Sequence, residues 1–257
     1  MAKRIIKVED EIIEVKEHMD NDEIAIKKSS NTISIINYFL GGQLAYILPA
    51  MIVFIALYPN EPVLESTFAE AFLSTLAPAI ALVFAFFINS KLLKKELNIF
   101  KNNLIPSLIS VFVNLVLVYI FLIGYGYITE LIFGEYGASN QNLIEEMLAN
   151  HKVLIGISVV IIAPILEEIV FRGNMFKRMR KSQGFVKSAL FSSLVFGAMH
   201  ILVGLISGDM MELVNLPIYA GIGYFLALAY EQTGSIYTPI ILHMVYNGIS
   251  FILMLVV

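Results

Sequence analysis

Residues 152–176 read KVLIGISVVIIAPILEEIVFRGNMF. This stretch is long and apolar enough to cross a bilayer, since a transmembrane helix needs about 20 mainly apolar residues. Its second half nevertheless carries Glu167, Glu168 and Arg172. A charged side chain at the centre of a membrane helix costs about 2.5–3.5 kcal/mol on insertion scales, so such groups are normally paired or functional. The stretch therefore predicts a membrane helix that carries a polar site inside a helical bundle.

The composition of the whole chain supports a membrane protein with several spans. Of its 257 residues 58% are hydrophobic and 15% are charged, and the mean hydropathy is +0.79. A soluble domain is about a quarter charged. The net charge of −4 gives no basic footprint for nucleic acid. Because the chain has no cysteine, disulfides, thiolate catalysis and cysteine-ligated metals are excluded.

Seven hydrophobic stretches divide the chain, and they predict an all-α polytopic transmembrane bundle of about seven or eight spans. They are 33–58, 68–90, 104–133, 152–176, 187–207, 216–230 and 235–257. The third stretch can tilt or break near Gly124 and Gly126, and the short sixth one can be tilted or re-entrant. We expect an N-terminal segment (1–30), N-terminal membrane helices (31–151) and a C-terminal membrane region (152–257) that carries the polar motifs.

The N-terminal segment has an amphipathic pattern. Its apolar residues recur at alternating spacings of three and four, which is typical of a helix of about two heptads. These residues are Ile5, Val8, Ile12, Val15 and Met19. The pattern favours a cytosolic helix that folds against the membrane surface, because two heptads are marginal for association. Self-association through this helix is the alternative. No apolar core of a cleaved signal peptide follows the start.

Basic residues predict the orientation in the membrane. Fifteen of the 17 Lys and Arg residues lie before the first stretch, between the second and third, or between the fourth and fifth. The exceptions are Lys152 and Arg172. The positive-inside rule therefore places the N-terminus and these loops in the cytoplasm of a cell-membrane protein. Abundant Ile, Lys and Asn without Cys or Trp suits a bacterial source.

Two further motifs place polar groups in other spans. The fifth stretch contains Phe196-Gly-Ala-Met-His200, and the seventh contains His243-Met-Val-Tyr-Asn247. From a helical rise of 1.5 Å per residue, Glu167, His200 and His243 lie about 15, 20 and 14 Å from the base-rich boundary. Spans four, five and seven can therefore bring these groups to one buried cavity. We expect that cavity to open toward the cytoplasm.

Spacing within the motifs separates the two adjacent acids. Glu168 and Arg172 share a helix face and can form an ion pair. Glu167 is rotated from Glu168 by about 100° and can face the cavity. His243 and Asn247 share a face too. Pro164 and Pro239 precede two of the motifs, and each can loosen or bend its helix.

Each motif alone has a structural interpretation, as an ion pair or as a hydrogen bond between helices. At one depth, however, the motifs supply a carboxylate base, two imidazoles and an amide donor. That set can activate a water molecule and stabilise an oxyanion.

Taken in order, Glu-Glu-x-x-x-Arg, Phe-x-x-x-His and His-x-x-x-Asn resemble the motifs of the CAAX-protease and bacteriocin-processing (Abi) family of intramembrane endopeptidases. The resemblance covers residues 152–257. It implies that Glu167 is the general base, that His200 holds the attacking water, and that His243 and Asn247 stabilise the oxyanion. Supporting roles fall to Glu168, Arg172 and Phe196.

The motif residues allow either a zinc mechanism or a metal-free one. If zinc is present, Glu167, His200 and His243 are its expected ligands, with one open coordination position. The His-Glu-x-x-His signature of zinc proteases is missing, and Asn247 suits an oxyanion better than zinc. A mechanism without a cofactor is therefore favoured. The Gly-x-Ser-Gly and Gly-x-Gly-Asp motifs of other intramembrane proteases are also missing from the sequence.

Three functions follow from these residues. The leading one is an intramembrane endopeptidase that cleaves a membrane-associated peptide, a signal-peptide remnant or a lipidated C-terminal tail. A second is a non-proteolytic bacteriocin-immunity or regulatory protein on the same scaffold. A third is a proton-coupled transporter, since buried Glu and His also form proton relays. The paired repeats of transporters are not evident in the sequence.

Overall fold

A computed structural model describes residues 33–38, 46–63, 66–134 and 137–256. Within these residues there is no β-strand, and the all-α membrane bundle predicted from composition is confirmed. The amphipathic helix expected in residues 1–30, with its self-association alternative, lies outside the described residues.

The chain folds into helices that run back and forth along one bundle. The helices are α1 (Ile47–Leu57), α2 (Thr67–Ile88), α3 (Ser90–Asn102), α4 (Leu104–Phe133), α5 (Ser139–Ile157), α6 (Asn150–Arg180), α7 (Phe185–Ile206), α8 (Leu216–Thr233) and α9 (Tyr237–Val256). Helix α5 is kinked at His151, whose φ of −132° and ψ of 46° are not helical. The helix continues without interruption from α5 into α6, so the ranges given for α5 and α6 share residues 150–157. A short 3₁₀ helix, Met210–Val214, leads into α8.

Six helical segments of the described chain are long and apolar enough to span a membrane. They are α2, α4, α6, α7, α9 and the combined segment Met210–Thr233. Helix α1 has 11 residues, about 17 Å of rise, which is short of the roughly 30 Å hydrocarbon core. The expected break near Gly124 and Gly126 is wrong, because α4 runs through both glycines. The span count of the whole chain stays a prediction.

Both base-rich loops within the described chain lie at one end of the bundle, here called the basic end. There Glu96 of α3 accepts hydrogen bonds from Lys177 Nζ at 2.9 Å, from the Tyr230 hydroxyl at 2.8 Å and from the Ile236 backbone N–H at 2.8 Å. Arg180 pairs with Glu231 at 2.8 Å. These contacts join α3, the end of α6 and the α8–α9 turn, as the distribution of basic residues requires.

Helix α6 departs from regular α geometry on both sides of Glu167. Two π-helical turns, Ser158–Ile162 and Ile169–Phe176, flank the regular segment Ala163–Glu168. Pro164, which has no backbone N–H to donate, lies two residues after the end of the first π turn, so the predicted loosening near this proline is confirmed. Such π turns often occur at functional sites. The predicted bend at Pro239 is wrong, because this residue lies in the first turn of α9, where a proline is tolerated.

Helices α7 and α8 approach closely beside the site. A Cβ atom on Gly197 would lie 3.0 Å from the Ala220 backbone nitrogen and 3.1 Å from the Leu216 carbonyl oxygen. Small residues allow membrane helices to pack at such distances. The contact fixes α7, and therefore His200, relative to α8.

Candidate active site

The three polar motifs converge on one cavity of about 820 Å³. Glu167 of α6, His200 of α7, and His243 and Asn247 of α9 all line it. The ring centroid of Phe196 lies 4.3 Å from that of His200 and 5.9 Å from that of His243. Phe196 therefore packs against both imidazoles. The convergence expected from the helical depths is present in the fold.

Glu168 and Arg172 form a buried ion pair behind the cavity. Arg172 Nη1 donates to Glu168 Oε1 at 2.8 Å, and both side chains are 0% exposed. Arg172 Nη2 donates to the Gly223 carbonyl at 2.8 Å, which ties α6 to α8. The guanidinium carbon also lies 4.9 Å from the Phe196 ring centroid. The ion pair predicted from the four-residue spacing is confirmed.

The two adjacent glutamates contact opposite nitrogens of His243. Nδ1 of His243 lies 3.0 Å from Glu168 Oε1, and Nε2 lies 3.9 Å from Glu167 Oε2. A carboxylate oxygen only accepts hydrogen bonds when ionised, so Nδ1 carries a hydrogen in this contact. Nε2 is then directed toward Glu167 and the cavity. Because Glu168 already binds both Arg172 and His243, Glu167 is the carboxylate that faces the cavity.

The hydrogen-bond partner of His200 likewise determines which ring nitrogen carries the hydrogen. Its Nδ1 lies 2.8 Å from the Phe196 carbonyl oxygen, one turn earlier in α7. A carbonyl can only accept, so Nδ1 carries the hydrogen. In the neutral ring, Nε2 is then an acceptor that can bind a water hydrogen. His200 thus suits the placement of a water molecule.

Asn247 connects the site to the first π turn of α6. Its amide Nδ2 donates to the Val159 carbonyl at 2.8 Å, and Val159 belongs to the turn Ser158–Ile162. This contact uses one of the two amide hydrogens. The second hydrogen can be donated to a group in the cavity. The irregular helix therefore orients the side chain that would stabilise an oxyanion.

Tyrosines contribute to the cavity in a way that the motifs did not indicate. Tyr38, Tyr219 and Tyr246 all line it. The Tyr219 ring stacks on His200, with centroids 4.7 Å apart and planes at 25°. Tyr38 is buried and packs edge-on against Phe171 at 5.4 Å. In sequence these residues resemble ordinary membrane-interface tyrosines, so nothing marked them as site residues.

The described side chains form no ready-made zinc site. In the part of the chain that the structure describes, no group of three His, Cys, Asp or Glu side chains is arranged to hold a metal. Glu167, His200 and His243 share the cavity without forming the ligand set that a zinc site would need.

Among the described residues, the cavity lining extends from the polar motifs away from the basic end, so the expected opening toward the cytoplasm stays a prediction. From the polar motifs its lining continues through Ser74 and Met147 to Thr67, Gln141 and Met254, at the opposite end of the bundle. Toward the basic end the interior is filled by buried aromatic side chains. These are Phe171, Phe176 and Tyr230. The helical rise predicted that the motifs lie near the middle of the bundle. It could not predict which half of the bundle interior is filled with side chains.

The fold and the site together define a polytopic α-helical membrane protein with a buried carboxylate, imidazole and amide cluster. Residues 149–249 match the family described as type II CAAX prenyl endopeptidase Rce1-like. The resemblance to CAAX proteases seen in the three motifs is thereby confirmed for this part of the chain.

Two curated relatives agree with this assignment. The chain is 33% identical over 95 residues to YdiL, a candidate membrane peptidase of Bacillus subtilis (strain 168), which is 37% of this chain and 35% of the relative. It is 34% identical over 101 residues to the membrane-embedded CAAX protease MroQ of Staphylococcus aureus (strain USA300), which is 37% of each chain. The chain thus spans little more than a third of the length of the relatives it matches. No solved structure gives a significant match.

Proposed function

We propose that the chain is an intramembrane endopeptidase that hydrolyses a peptide bond with a water molecule activated by Glu167. One observation carries the proposal: Glu167, His200, His243 and Asn247 line a single cavity large enough for a peptide segment. The match of this region to CAAX-type proteases supports the peptidase class. Membrane-associated peptides are the proposed substrates.

Glu167 is the proposed general base because the other glutamate is already engaged. Glu168 binds Arg172 at 2.8 Å and His243 at 3.0 Å, and it is fully buried. The Glu167 side chain is 13% exposed, which leaves it accessible from the cavity. A water held between Glu167 and His200 Nε2 would have one hydrogen directed to each, and its lone pair would be free to attack.

The proposed reaction balances in two steps. The water oxygen attacks the carbonyl carbon while one water proton passes to Glu167, and the carbonyl oxygen becomes an oxyanion. That oxyanion accepts a hydrogen bond from the second Asn247 amide hydrogen, and from Nε2 of His243 when the imidazole carries a hydrogen on both nitrogens. The C–N bond then breaks as Glu167 returns its proton to the leaving nitrogen. The products are one carboxylic acid and one amine.

The orientation forms part of the proposal. If the basic end faces the cytoplasm, as the positive-inside rule requires, the cavity opens on the other side of the membrane. Substrate then enters from the non-cytoplasmic face or from the outer half of the bilayer. The helical scaffold at the basic end serves to hold the site rather than to admit substrate.

Comparison of membranes that contain wild type, Glu167→Gln and Glu130→Gln tests the proposal. Glu130 is an exposed acid near the end of α4 that does not line the cavity, so its variant is a matched control. Mass spectrometry of small membrane-associated peptides should reveal trimmed products with wild type and Glu130→Gln only. Identical profiles from all three proteins, each folded and present, would instead favour an immunity or regulatory protein on the same scaffold.

A further inference from the structure

The charged residues of the cavity lining are all acidic. Among the described residues that line it, the acidic side chains are Glu167 at its inner end and Glu70 near its mouth, and no Lys or Arg contributes. Glu70 lies in the first turn of α2 and is exposed. A peptide in this cavity therefore meets a carboxylate at each end and no Lys or Arg side chain of the described protein.

The separation of the two acids follows from the packing of α2 against α6. Ser158 Oγ donates to the Ser74 carbonyl at 3.1 Å, so these residues lie at one level of the bundle. Glu70 lies four residues before Ser74, and Glu167 lies nine residues after Ser158. At 1.5 Å per residue the two acids are about 20 Å apart along the bundle. An extended peptide covers this distance with about six residues.

The wall between the two acids is apolar and adaptable. It includes Leu73 and three methionines, Met51, Met147 and Met254. Methionine side chains are flexible and fit apolar partners of varied shape. Such a wall selects a hydrophobic segment without demanding one particular sequence.

We propose that the cavity binds an extended apolar segment of about six residues whose outer end carries a cation, which pairs with Glu70. The cation is a Lys or Arg side chain or a free α-amino group. A free carboxylate at this position is disfavoured, because it faces Glu70 without a compensating cation. The inference deepens the proposed function and rests on it. Glu70 also suits the N-terminal dipole of α2, a purely structural role that would give no preference among substrates.

Two quenched fluorescent peptides test the preference. They share a central apolar segment of six residues. They differ only in whether a Lys or a Glu stands at the end expected to lie beside Glu70, at the mouth of the cavity. They are compared in vesicles of zwitterionic lipid with wild type, Glu70→Gln, Glu70→Lys and the control Glu130→Lys, which places the same charge outside the cavity. Wild type and Glu130→Lys should cleave the Lys peptide with a kcat/KM about two- to fivefold higher than that for the Glu peptide. This is the range that an exposed ion pair supplies. Glu70→Gln should abolish the preference, and Glu70→Lys should reverse it.

A binding measurement separates this inference from the proposed hydrolysis. Since the chain has no cysteine, Gln141→Cys at the mouth gives a unique thiol on a Glu167→Gln background. Each peptide carries a cysteine next to its terminal Lys or Glu. This cysteine should form a disulfide with the protein thiol faster in the Lys peptide than in the Glu peptide. Glu70→Lys should remove that advantage.

The outcomes are distinct. If proteins that retain Glu70 cleave both peptides equally and cross-link equally to both, the cation preference is overturned. The proposed hydrolysis would still stand. Cross-linking that favours the Lys peptide, without cleavage of either peptide by wild type, would overturn the hydrolysis and retain the binding preference.

Discussion

Arg172 is the residue whose removal should most disturb the site without touching a substrate. Its guanidinium binds Glu168 at 2.8 Å and the Gly223 carbonyl at 2.8 Å, in a position with 0% exposure. Substitution Arg172→Met keeps a side chain of similar length and removes the charge. Glu168 would then be a buried carboxylate without its cation, and the Gly223 carbonyl would lose its donor.

The expected loss of stability is large. Removal of one partner of a buried ion pair costs about 3–5 kcal/mol, because the other charge is left uncompensated. For a chain of this size each kcal/mol corresponds to about 2–4 °C in Tm, so Arg172→Met should lower Tm by about 6–20 °C. The double variant Arg172→Met with Glu168→Met removes both charges, and it should recover most of that loss.

Thermal unfolding of the purified protein in detergent micelles measures these shifts. Arg180→Met serves as the matched control, because Arg180 pairs with Glu231 at 2.8 Å while both side chains are 23% exposed. Partly exposed pairs contribute little, and this variant should change Tm by only about 1–4 °C. A Tm for Arg172→Met as high as that for Arg180→Met would refute the reasoning that the charge of Glu168 depends on Arg172.

Three further predictions concern the site and its surroundings. Tyr219→Leu should lower kcat about two- to tenfold with little change in KM, because the ring that stacks on His200 contributes about 0.5–1.5 kcal/mol; Tyr219→Phe keeps the ring and should lose less, and equal losses in both variants would contradict a role in stacking. Chelators should leave the activity unchanged, and metal analysis of active protein should find far less than one zinc per chain; stoichiometric zinc that is lost together with activity would contradict the metal-free proposal. In intact cells, a membrane-impermeant thiol reagent should label Gln141→Cys and not Lys101→Cys; the reverse pattern would contradict the proposed orientation.

The sequence predicted which polar side chains lie together, because their placement depends on spacing along the helices. The four-residue interval between Glu168 and Arg172 required a shared helix face, and the ion pair is present. Similar distances from the base-rich loops predicted that His200 and His243 could meet Glu167, and all three line one cavity. These inferences needed only the regular rise and twist of a helix.

Features that depend on side-chain packing could not be predicted in this way. The direction of the cavity follows from which half of the bundle is filled, and Phe171, Phe176 and Tyr230 fill the basic half. The stacking of Tyr219 on His200 depends on how α8 lies against α7. Likewise, the π turn that presents the Val159 carbonyl to Asn247 has no reliable sequence signal beyond the nearby proline.

The most direct test of the account is the kcat/KM of Glu167→Gln on a peptide that the wild-type protein cleaves, measured at equal amounts of folded protein. Glutamine keeps the size and the polarity of the side chain but cannot take a proton from water. A general base contributes about 10²- to 10⁴-fold, so the account predicts a loss of at least about a hundredfold. Activity within about threefold of wild type would contradict the assignment of Glu167 as the base and, with it, the proposed mechanism.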